Sequence, residues 1–205
     1  MYLNARSLRN KMGEIETLIS TVEVLTCRSV AITESWINSN ETKYYNIEGY
    51  DSFFARRDEH SLLDVQLDSS VVTNCRIHIL ICYNPSKGNC PVLLQKFENL
   101  LRNVQSRYTI VIGDFNIDSL SNSKEMQDYT DLITRYGFYQ VNTIFPTGCS
   151  KTTNSLIDHV LVNKTQYGYI DSCVSDHNVI VSEVTTGINK QSLSRCQNNE
   201  SKTDH

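Results

Sequence analysis

The chain lacks the long apolar segments that mark membrane proteins. It has no apolar run of the roughly 18 residues needed to span a bilayer. Its opening segment, Met1-Tyr2-Leu3-Asn4-Ala5-Arg6, has no apolar core of the kind found in secretory signal peptides. These two absences predict a soluble, intracellular protein with no membrane partner. Its 205 residues, of which 40% are hydrophobic, predict one globular domain with a buried core.

Cysteines in a metal-binding or disulfide pattern are also missing. The seven cysteines form an odd set with no Cys-x-x-Cys spacing. This argues against a disulfide framework and against a zinc site, and predicts that several cysteines are small core residues.

Positive charge is scarce. The net charge is −4 and the sequence pI is about 5.7, so a nucleic-acid partner would need a local positive surface, because the whole molecule repels a polyanion. Arg56 and Arg57 are the one adjacent basic pair. They fit either a phosphate contact or, as is more common, a solvated face.

The most informative stretch is 109–116, Thr-Ile-Val-Ile-Gly-Asp-Phe-Asn. Its β-branched apolar first half is typical of a strand buried on both faces. Asp114 and Asn116 follow, and their spacing points both side chains to the same side of an extended chain. A carboxylate and an amide placed there can address one phosphate or metal-bound water. The alternative is an Asp-x-Asn turn in which these residues bond their own backbone.

Two other apolar runs also end on polar side chains. The run 29–33 predicts a buried strand that ends on Glu34, and the run 76–82 predicts one that ends on Tyr83. For Tyr83 the alternative is a half-buried core residue whose hydroxyl lies in water.

Polar residues also occur within or beside two late apolar runs. Asp158 and His159 interrupt the run 156–162. Asp158 therefore needs a partner, unless it lies on an edge strand and faces water. Asp176 and His177 stand just before another apolar run, and a neighbouring carboxylate can hold an imidazole in position and favour its protonated form.

Apolar residues at helical spacing predict helices over 8–22, 93–104 and 126–136, between the strands. Strands that alternate with helices predict an α/β fold with sites gathered at strand ends. The polar composition of 188–205 predicts a disordered tail, which leaves one domain over 1–187.

The polar residues expected at strand ends are carboxylates, amides, a phenol and an imidazole, without a thiolate. They are Asn4, Glu34, Tyr83, Asp114, Asn116, Asp158, Asp176 and His177. Oxygen ligands of this kind suit Mg²⁺ or Mn²⁺ better than zinc. A hard cation, a base for water, and amide or imidazole donors are what hydrolysis of a phosphodiester requires.

Six motifs in order carry a family resemblance. They are Leu3-Asn4-Ala5-Arg6-Ser7-Leu8, Ile32-Thr33-Glu34-Ser35-Trp36, Tyr83-Asn84-Pro85-Ser86, Gly113-Asp114-Phe115-Asn116, Ile157-Asp158-His159 and Ser175-Asp176-His177. The series resembles the endonuclease/exonuclease/phosphatase superfamily. Within it, the chain looks like the apurinic/apyrimidinic-endonuclease-like domain of non-LTR (LINE-type) retrotransposons, over about residues 2 to 184.

The resemblance implies a four-layer α/β sandwich, with two mixed β-sheets packed face to face, helices outside, and a divalent metal at one end. It implies that Glu34 is the principal metal ligand, that Asn4 beside it holds the metal and phosphate geometry, and that Asp176 is a further metal-side carboxylate.

The resemblance also implies the residues that act on the phosphate. Asp114 would align or deprotonate the attacking water, and Asn116 would donate to the phosphate. His177, oriented by Asp158, would polarise the phosphate and stabilise the pentavalent transition state, and Tyr83 would be a phosphate contact. The product implied is a DNA nick with a 3′-hydroxyl, which primes reverse transcription in retrotransposons.

The chain departs from the family pattern in two places. The first strand is short, which predicts a truncated N-terminus. Relatives carry an Arg-Gly-Gly-Gly-Val-like turn and strand where this chain has residues 58–64. An internal deletion there, of one or two strands, would expose sheet edges and leave core residues without partners.

The leading hypothesis is a Mg²⁺- or Mn²⁺-dependent endonuclease that nicks duplex DNA. One alternative is a superfamily phosphoesterase that acts on RNA or a small phosphate ester, which the acidic pI favours. The other is a catalytically dead retrotransposon relic, which the predicted deletion favours. A DNA substrate predicts a nuclear location, although no basic run is present to direct import. The sequence leaves the oligomeric state open.

Overall fold

The structure is a computed structural model of the chain. It describes residues 1–23, 29–38, 40–52, 54, 61–68, 76–85, 89–104, 108–143, 146–149, 153–163, 166–173 and 177–185. The predicted tail over 188–205, the pair Arg56 and Arg57, and Asp176 all lie outside these residues.

The described residues form eleven strands and three α-helices. The strands are β1 (Tyr2–Asn4), β2 (Ala31–Thr33), β3 (Ser61–Asp68), β4 (Arg76–Tyr83), β5 (Tyr108–Asp114), β6 (Tyr139–Gln140), β7 (Gly148–Cys149), β8 (Asn154–Ser155), β9 (Asp158–Val162), β10 (Gln166–Cys173) and β11 (Asn178–Thr185). The helices are α1 (Met12–Glu23), α2 (Cys90–Val104) and α3 (Lys124–Arg135), with a short 3₁₀ turn at Thr42–Tyr44.

Most of the strands form two mixed sheets. One has the order β10-β11-β1-β2 and the other the order β3-β4-β5-β9-β6, while β7 and β8 form a separate hairpin. In the first sheet β1 runs parallel to β2 and antiparallel to β11. In the second, β4 and β5 are parallel, and β3 and β9 run antiparallel to them.

The buried residues arrange the sheets and helices into four layers. Tyr2 and Ile180 of the first sheet pack against Ile110 and Val160 of the second, so the sheets meet face to face. The outer face of the second sheet is covered by α2 and α3, and that of the first by α1. The predicted four-layer α/β sandwich is therefore confirmed. Whether one or two strands are missing from it remains a prediction.

Strand β5 has both faces buried because it lies between these layers. Val111 packs towards the helices, whereas Ile110 and Ile112 pack towards the other sheet. The strand ends through Gly113, where an added Cβ would lie 1.8 Å from the carbonyl oxygen of Cys82. Only glycine permits this close approach of β5 to β4, just before Asp114. Cys82 is fully buried in the same core, as predicted for a small core residue.

The predicted helices are present with shifted ends. The first begins at Met12 instead of residue 8, because residues 5–8 run beside residues 33–35 and bond their backbone, as in the bond from the Leu8 N–H to the Ser35 carbonyl. The third begins after Ser123, whose hydroxyl accepts from the N–H of Met126 as a helix cap. Among the described residues, none of the helices is long and apolar enough to cross a membrane.

Candidate active site

Three strands of the second sheet bring polar residues side by side. The strand register pairs Tyr83 with Asp114 across β4 and β5, and Asp114 with Asp158 across β5 and β9. Both carboxylates are buried, Asp114 at 1% and Asp158 at 0% exposure. Two carboxylates directly opposite each other repel, so this row requires compensating partners. The alternative in which Asp158 faces water from an edge strand is wrong, because β9 lies between β5 and β6.

Asp158 obtains its partners from the first sheet and from the segment that precedes β11. Its Oδ2 lies 2.7 Å from Nδ1 of His177, and its Oδ1 accepts a hydrogen bond of 3.0 Å from the hydroxyl of Tyr2. His177 and Tyr2 are both buried, so these bonds are shielded from water. These bonds orient both oxygens of Asp158. They also fix the imidazole of His177 through Nδ1, so Nε2 is the ring nitrogen that does not bond Asp158.

Asp114 is held by donors on both of its oxygens. The Asn4 carboxamide donates to Oδ2 at 2.8 Å, and the backbone N–H of Asn116 donates to Oδ1 at 2.9 Å. Burial nevertheless raises the pKa of the Asp114 carboxyl from 3.8 to about 8. The charge of Asp158 adds to this rise in pKa, and His177 opposes it.

Asn116 enters the site in a way that differs from the prediction. The chain is not extended there, since Asn116 has a φ of 49°, and the backbone bond to Asp114 makes the Asx turn that was the alternative. The Asn116 side-chain amide donates to the carbonyl of Asn84. Both Asp114 and Asn116 still line the same cleft.

Glu34 and Tyr83 face each other across the two sheets. The Tyr83 hydroxyl donates to Oε1 of Glu34 at 3.0 Å. The interpretation of Tyr83 as a half-buried residue with its hydroxyl in water is wrong, because Tyr83 is 8% exposed and bonded to this carboxylate. Glu34 follows β2 with a φ of 51°. A left-handed conformation is strained for a residue other than glycine, and such strain is frequent at functional sites.

One open cleft gathers these side chains at an end of the two sheets. The residues that line it are Arg6, Glu34, Trp36, Tyr83, Pro85, Asp114, Asn116, Ile157 and His177. Asn4, with 0% exposure, and Asp158 lie behind this surface and support it. All the predicted site residues that the structure describes are therefore in the cleft or bonded to it.

The donor set of the cleft fits a hard divalent cation. The carboxylates of Asp114 and Glu34 line the cleft, and Asn4 lies behind them with its side-chain nitrogen on Oδ2 of Asp114 and its Oδ1 accepting from the Arg6 N–H. The charge of Glu34 also contributes to the raised pKa of Asp114, so a cation there would relieve the repulsion between these acids. Asp114, Asp158 and His177 offer ligand atoms within 4.8 Å of one another. Asp158 and His177 bond each other, so the carboxylates of Glu34 and Asp114 are the acidic groups that line the cleft itself.

His159, next to Asp158, belongs to the core and not to the cleft. Its Nδ1 lies 2.9 Å from the Tyr129 hydroxyl, its Nε2 lies 2.9 Å from Oγ of Ser119, and its ring stacks on Phe115. Burial lowers the pKa of His159 to about 4, so the ring is neutral at physiological pH.

Several residues at the site were not predicted from the sequence. Tyr2 supports Asp158 from the other sheet, and the Thr147 hydroxyl accepts from the Asp158 N–H at 2.9 Å. Arg6 and Trp36 line the cleft although neither was singled out. For these last two a signal was available, because both stand two residues after a predicted site residue, Asn4 and Glu34.

Comparisons with known proteins agree with this architecture. The endonuclease domain of TRAS1, a telomere-specific non-LTR retrotransposon, superimposes with a TM-score of 0.53 and 16% identity, over 60% of this chain and 61% of that domain. An endonuclease/exonuclease/phosphatase family protein from Leptotrichia buccalis matches with a TM-score of 0.56 and 15% identity, over 90% of this chain and 98% of that protein. TDP2 of D. rerio, in complex with a single-strand DNA product, matches with a TM-score of 0.59 and 12% identity, over 90% of this chain and 97% of that chain. A search of curated proteins gives no match.

The sandwich and its acid-lined cleft match the fold of solved proteins of the endonuclease/exonuclease/phosphatase class. The model of the endonuclease-reverse transcriptase family matches residues 77–181, which is about half of the 205-residue chain. The chain belongs to this family.

Proposed function

We propose that this chain is a Mg²⁺- or Mn²⁺-dependent endonuclease that nicks duplex DNA and leaves a 3′-hydroxyl. The observation that carries the proposal is the buried pair of His177 and Asp158, 2.7 Å apart, beside Asp114 in the acid-lined cleft. This arrangement offers a base for water and an imidazole for phosphate within one small site. The family match supports nucleic acid as the substrate, as does the structural likeness to the TRAS1 endonuclease domain and to TDP2 complexed with a single-strand DNA product.

Asp114 prepares the attacking water. The Asn4 amide and the Asn116 N–H fix its orientation, so its carboxylate presents a defined lone pair to the cleft. A carboxyl whose pKa lies near the working pH is well matched to accept a proton from water. Glu34, Asn4 and Asp176 would hold the divalent cation, which when bound offsets the negative charge of the acids and of the phosphate.

His177 stabilises the phosphate as negative charge develops on it. Asp158 engages Nδ1, so Nε2 is the nitrogen that would donate to a phosphate oxygen in the transition state. Asn116 and Tyr83 line the same cleft and would add neutral donors to the phosphate. Trading a Tyr83 bond to Glu34 for one to phosphate requires only rotation of the hydroxyl.

A plasmid-nicking assay tests this function. Purified protein should convert supercoiled plasmid to the open circular form with Mg²⁺ and not with EDTA, and a DNA polymerase should extend the nicks directly because their ends are 3′-hydroxyls. Circular dichroism establishes that each sample is folded. A folded protein that cleaves RNA or a small phosphate ester but not plasmid would replace this proposal with the second phosphoesterase hypothesis, which the acidic pI favours. A protein inactive on all of them would indicate a catalytically dead relic.

A further inference from the structure

Trp36 is the single tryptophan of the chain, and it is exposed at the candidate active site. Half of its surface, 51%, is in contact with water. Its side chain nevertheless lines the cleft that contains Glu34, Asp114 and His177. An indole can offer a large flat apolar face to a ligand at little conformational cost, since it has few rotatable bonds.

The loop that presents Trp36 is held in a strained conformation. Trp36 and Glu34 have φ values of 52° and 51°, in the left-handed region that bulky residues rarely adopt. Two backbone bonds to the neighbouring loop fix this conformation, from Ser7 N–H to Glu34 O at 2.7 Å and from Leu8 N–H to Ser35 O at 2.9 Å. The indole therefore projects from a loop, directly after Glu34, whose backbone is fixed by these two hydrogen bonds.

The same neighbouring loop brings Arg6 to the cleft. Arg6 also has a left-handed backbone, with a φ of 44°, and its side chain lines the cleft together with that of Trp36. A guanidinium can bind a phosphate in two-pronged fashion, or stack on a ring. Pro85 and Ile157 add apolar surface to the cleft.

Electrostatics alone supplies little attraction for DNA here. The net charge of the chain is −4. Among the residues that line the cleft in the described part of the chain, Arg6 is the one lysine or arginine, whereas Glu34 and Asp114 are acidic. Stacking of a nucleobase on an aromatic ring is insensitive to this charge balance and tolerates any base sequence.

We propose that Trp36 and Arg6 form a nucleotide subsite beside the scissile phosphate. Trp36 stacks on a nucleobase of the strand that is cut after that base has left its pair in the duplex, and Arg6 contacts the phosphate of the same nucleotide. The subsite rests on the proposed function, because it assigns the ligand of the same cleft. It also explains how an acidic protein with an acidic site holds a polyanion.

Because the chain has one tryptophan, its intrinsic fluorescence reports on this subsite directly. Wild-type protein in EDTA, and His177→Ala in Mg²⁺, should be titrated with a mixed-sequence single-stranded oligodeoxynucleotide and with an abasic oligomer of the same phosphate number. The oligonucleotide with bases should quench the fluorescence and bind more tightly. The abasic oligomer should bind weakly without quenching. Equal quenching and affinity for the two, or no binding of either, would overturn the subsite.

Substitutions provide the second measurement. Trp36→Ala should weaken binding of the base-containing oligonucleotide about 5- to 150-fold and abolish its preference over the abasic oligomer, while Trp36→Phe should retain most of the affinity. Tyr44→Ala, which removes another exposed aromatic outside the cleft, should change neither. Undiminished binding by Trp36→Ala would contradict the assignment.

Failure of the subsite and failure of the endonuclease proposal are distinguishable in these data. Base-dependent quenching without plasmid nicking retains the subsite and removes the catalytic proposal. Plasmid nicking together with base-independent binding retains the catalytic proposal and removes the subsite.

Discussion

The hydroxyl of Tyr2, in the first sheet, donates to Oδ1 of Asp158, in the second, across a separation of 156 residues in the chain. The same hydroxyl lies 2.8 Å from Oγ1 of Thr33. Asp158 in turn holds His177 through its other oxygen. The packing of the two sheets therefore sets the orientation of the imidazole, and the stability of the sandwich is coupled to the geometry of the site.

Tyr2→Phe tests this coupling. It keeps the buried ring and removes the donor to a buried carboxylate, a bond expected to contribute about 2 kcal/mol. We expect the free energy of unfolding to fall by about that amount in denaturant titrations, and kcat to fall about tenfold with little change in KM. Tyr44→Phe is the control, because Tyr44 is 70% exposed and should show neither effect. An unchanged stability of Tyr2→Phe would show that the bond contributes nothing.

Asp114→Asn should lower the nicking activity and, at high pH, raise the stability relative to wild type. The pKa of Asp114 in the folded state, about 8, lies above its unfolded value near 3.8. Its contribution to stability is therefore present below pH 4 and is lost as the pH rises through 8. In metal-free buffer, wild-type protein should lose stability relative to Asp114→Asn over this range, while the variant loses at least about 100-fold in nicking.

The matched control for Asp114→Asn is Asp131→Asn, at an exposed carboxylate of α3. It should leave both the stability profile and the nicking rate unchanged. A difference between wild type and Asp114→Asn that does not vary with pH would contradict the raised pKa.

His159 should produce the opposite pH dependence. Its pKa in the folded state, about 4, lies below the ordinary value of 6.5, so the unfolded chain binds the extra proton between these values. The stability that the neutral ring contributes is present above pH 6.5 and should fall by about 3 kcal/mol as the pH drops to 4. Urea titrations at a series of pH values give the free energy of unfolding of wild type and of His159→Gln. Between pH 6.5 and 4 this free energy should fall more steeply for wild type than for the variant. Parallel profiles for the two proteins would disprove it.

Glu34→Gln tests the metal-binding role. A ligand at about 100 times its Kd raises the free energy of unfolding by about 2.7 kcal/mol. Wild-type protein should show such a rise with saturating Mg²⁺, and Glu34→Gln should lose most of it, because an amide replaces a charged oxygen ligand. Glu16→Gln, at an exposed position of α1, should respond as wild type does. A full Mg²⁺ response in Glu34→Gln would exclude Glu34 as a principal ligand.

The parts of the fold that local patterns encode were predictable. Strand β5 was visible as a β-branched run that ends on Asp114, and α2 was visible from the helical spacing of residues such as Phe97 and Leu101. Strand β10 was missed because it is an edge strand of its sheet, where selection for apolar residues is weak.

The sequence indicated which described polar residues meet at the cleft, but not the bonds between them. Asp158 was expected to need a partner, yet Tyr2 carried no local signal, because the bond depends on how the two sheets stack. Tyr83 was expected at the site, but its bond to Glu34 was not, since nothing nearby in the sequence indicates that Glu34 faces it. Long-range packing, and not propensity, decides such contacts.

A double-mutant cycle on His177 and Asp158 tests the central claim most directly. If the two residues act as one unit, His177→Ala and Asp158→Asn should each lower the rate of Mg²⁺-dependent plasmid nicking by roughly 100- to 10,000-fold, and the double variant should be scarcely slower than His177→Ala. Circular dichroism of each variant would confirm that it is folded. Losses that multiply in the double variant, or nicking by His177→Ala at the wild-type rate, would contradict the account.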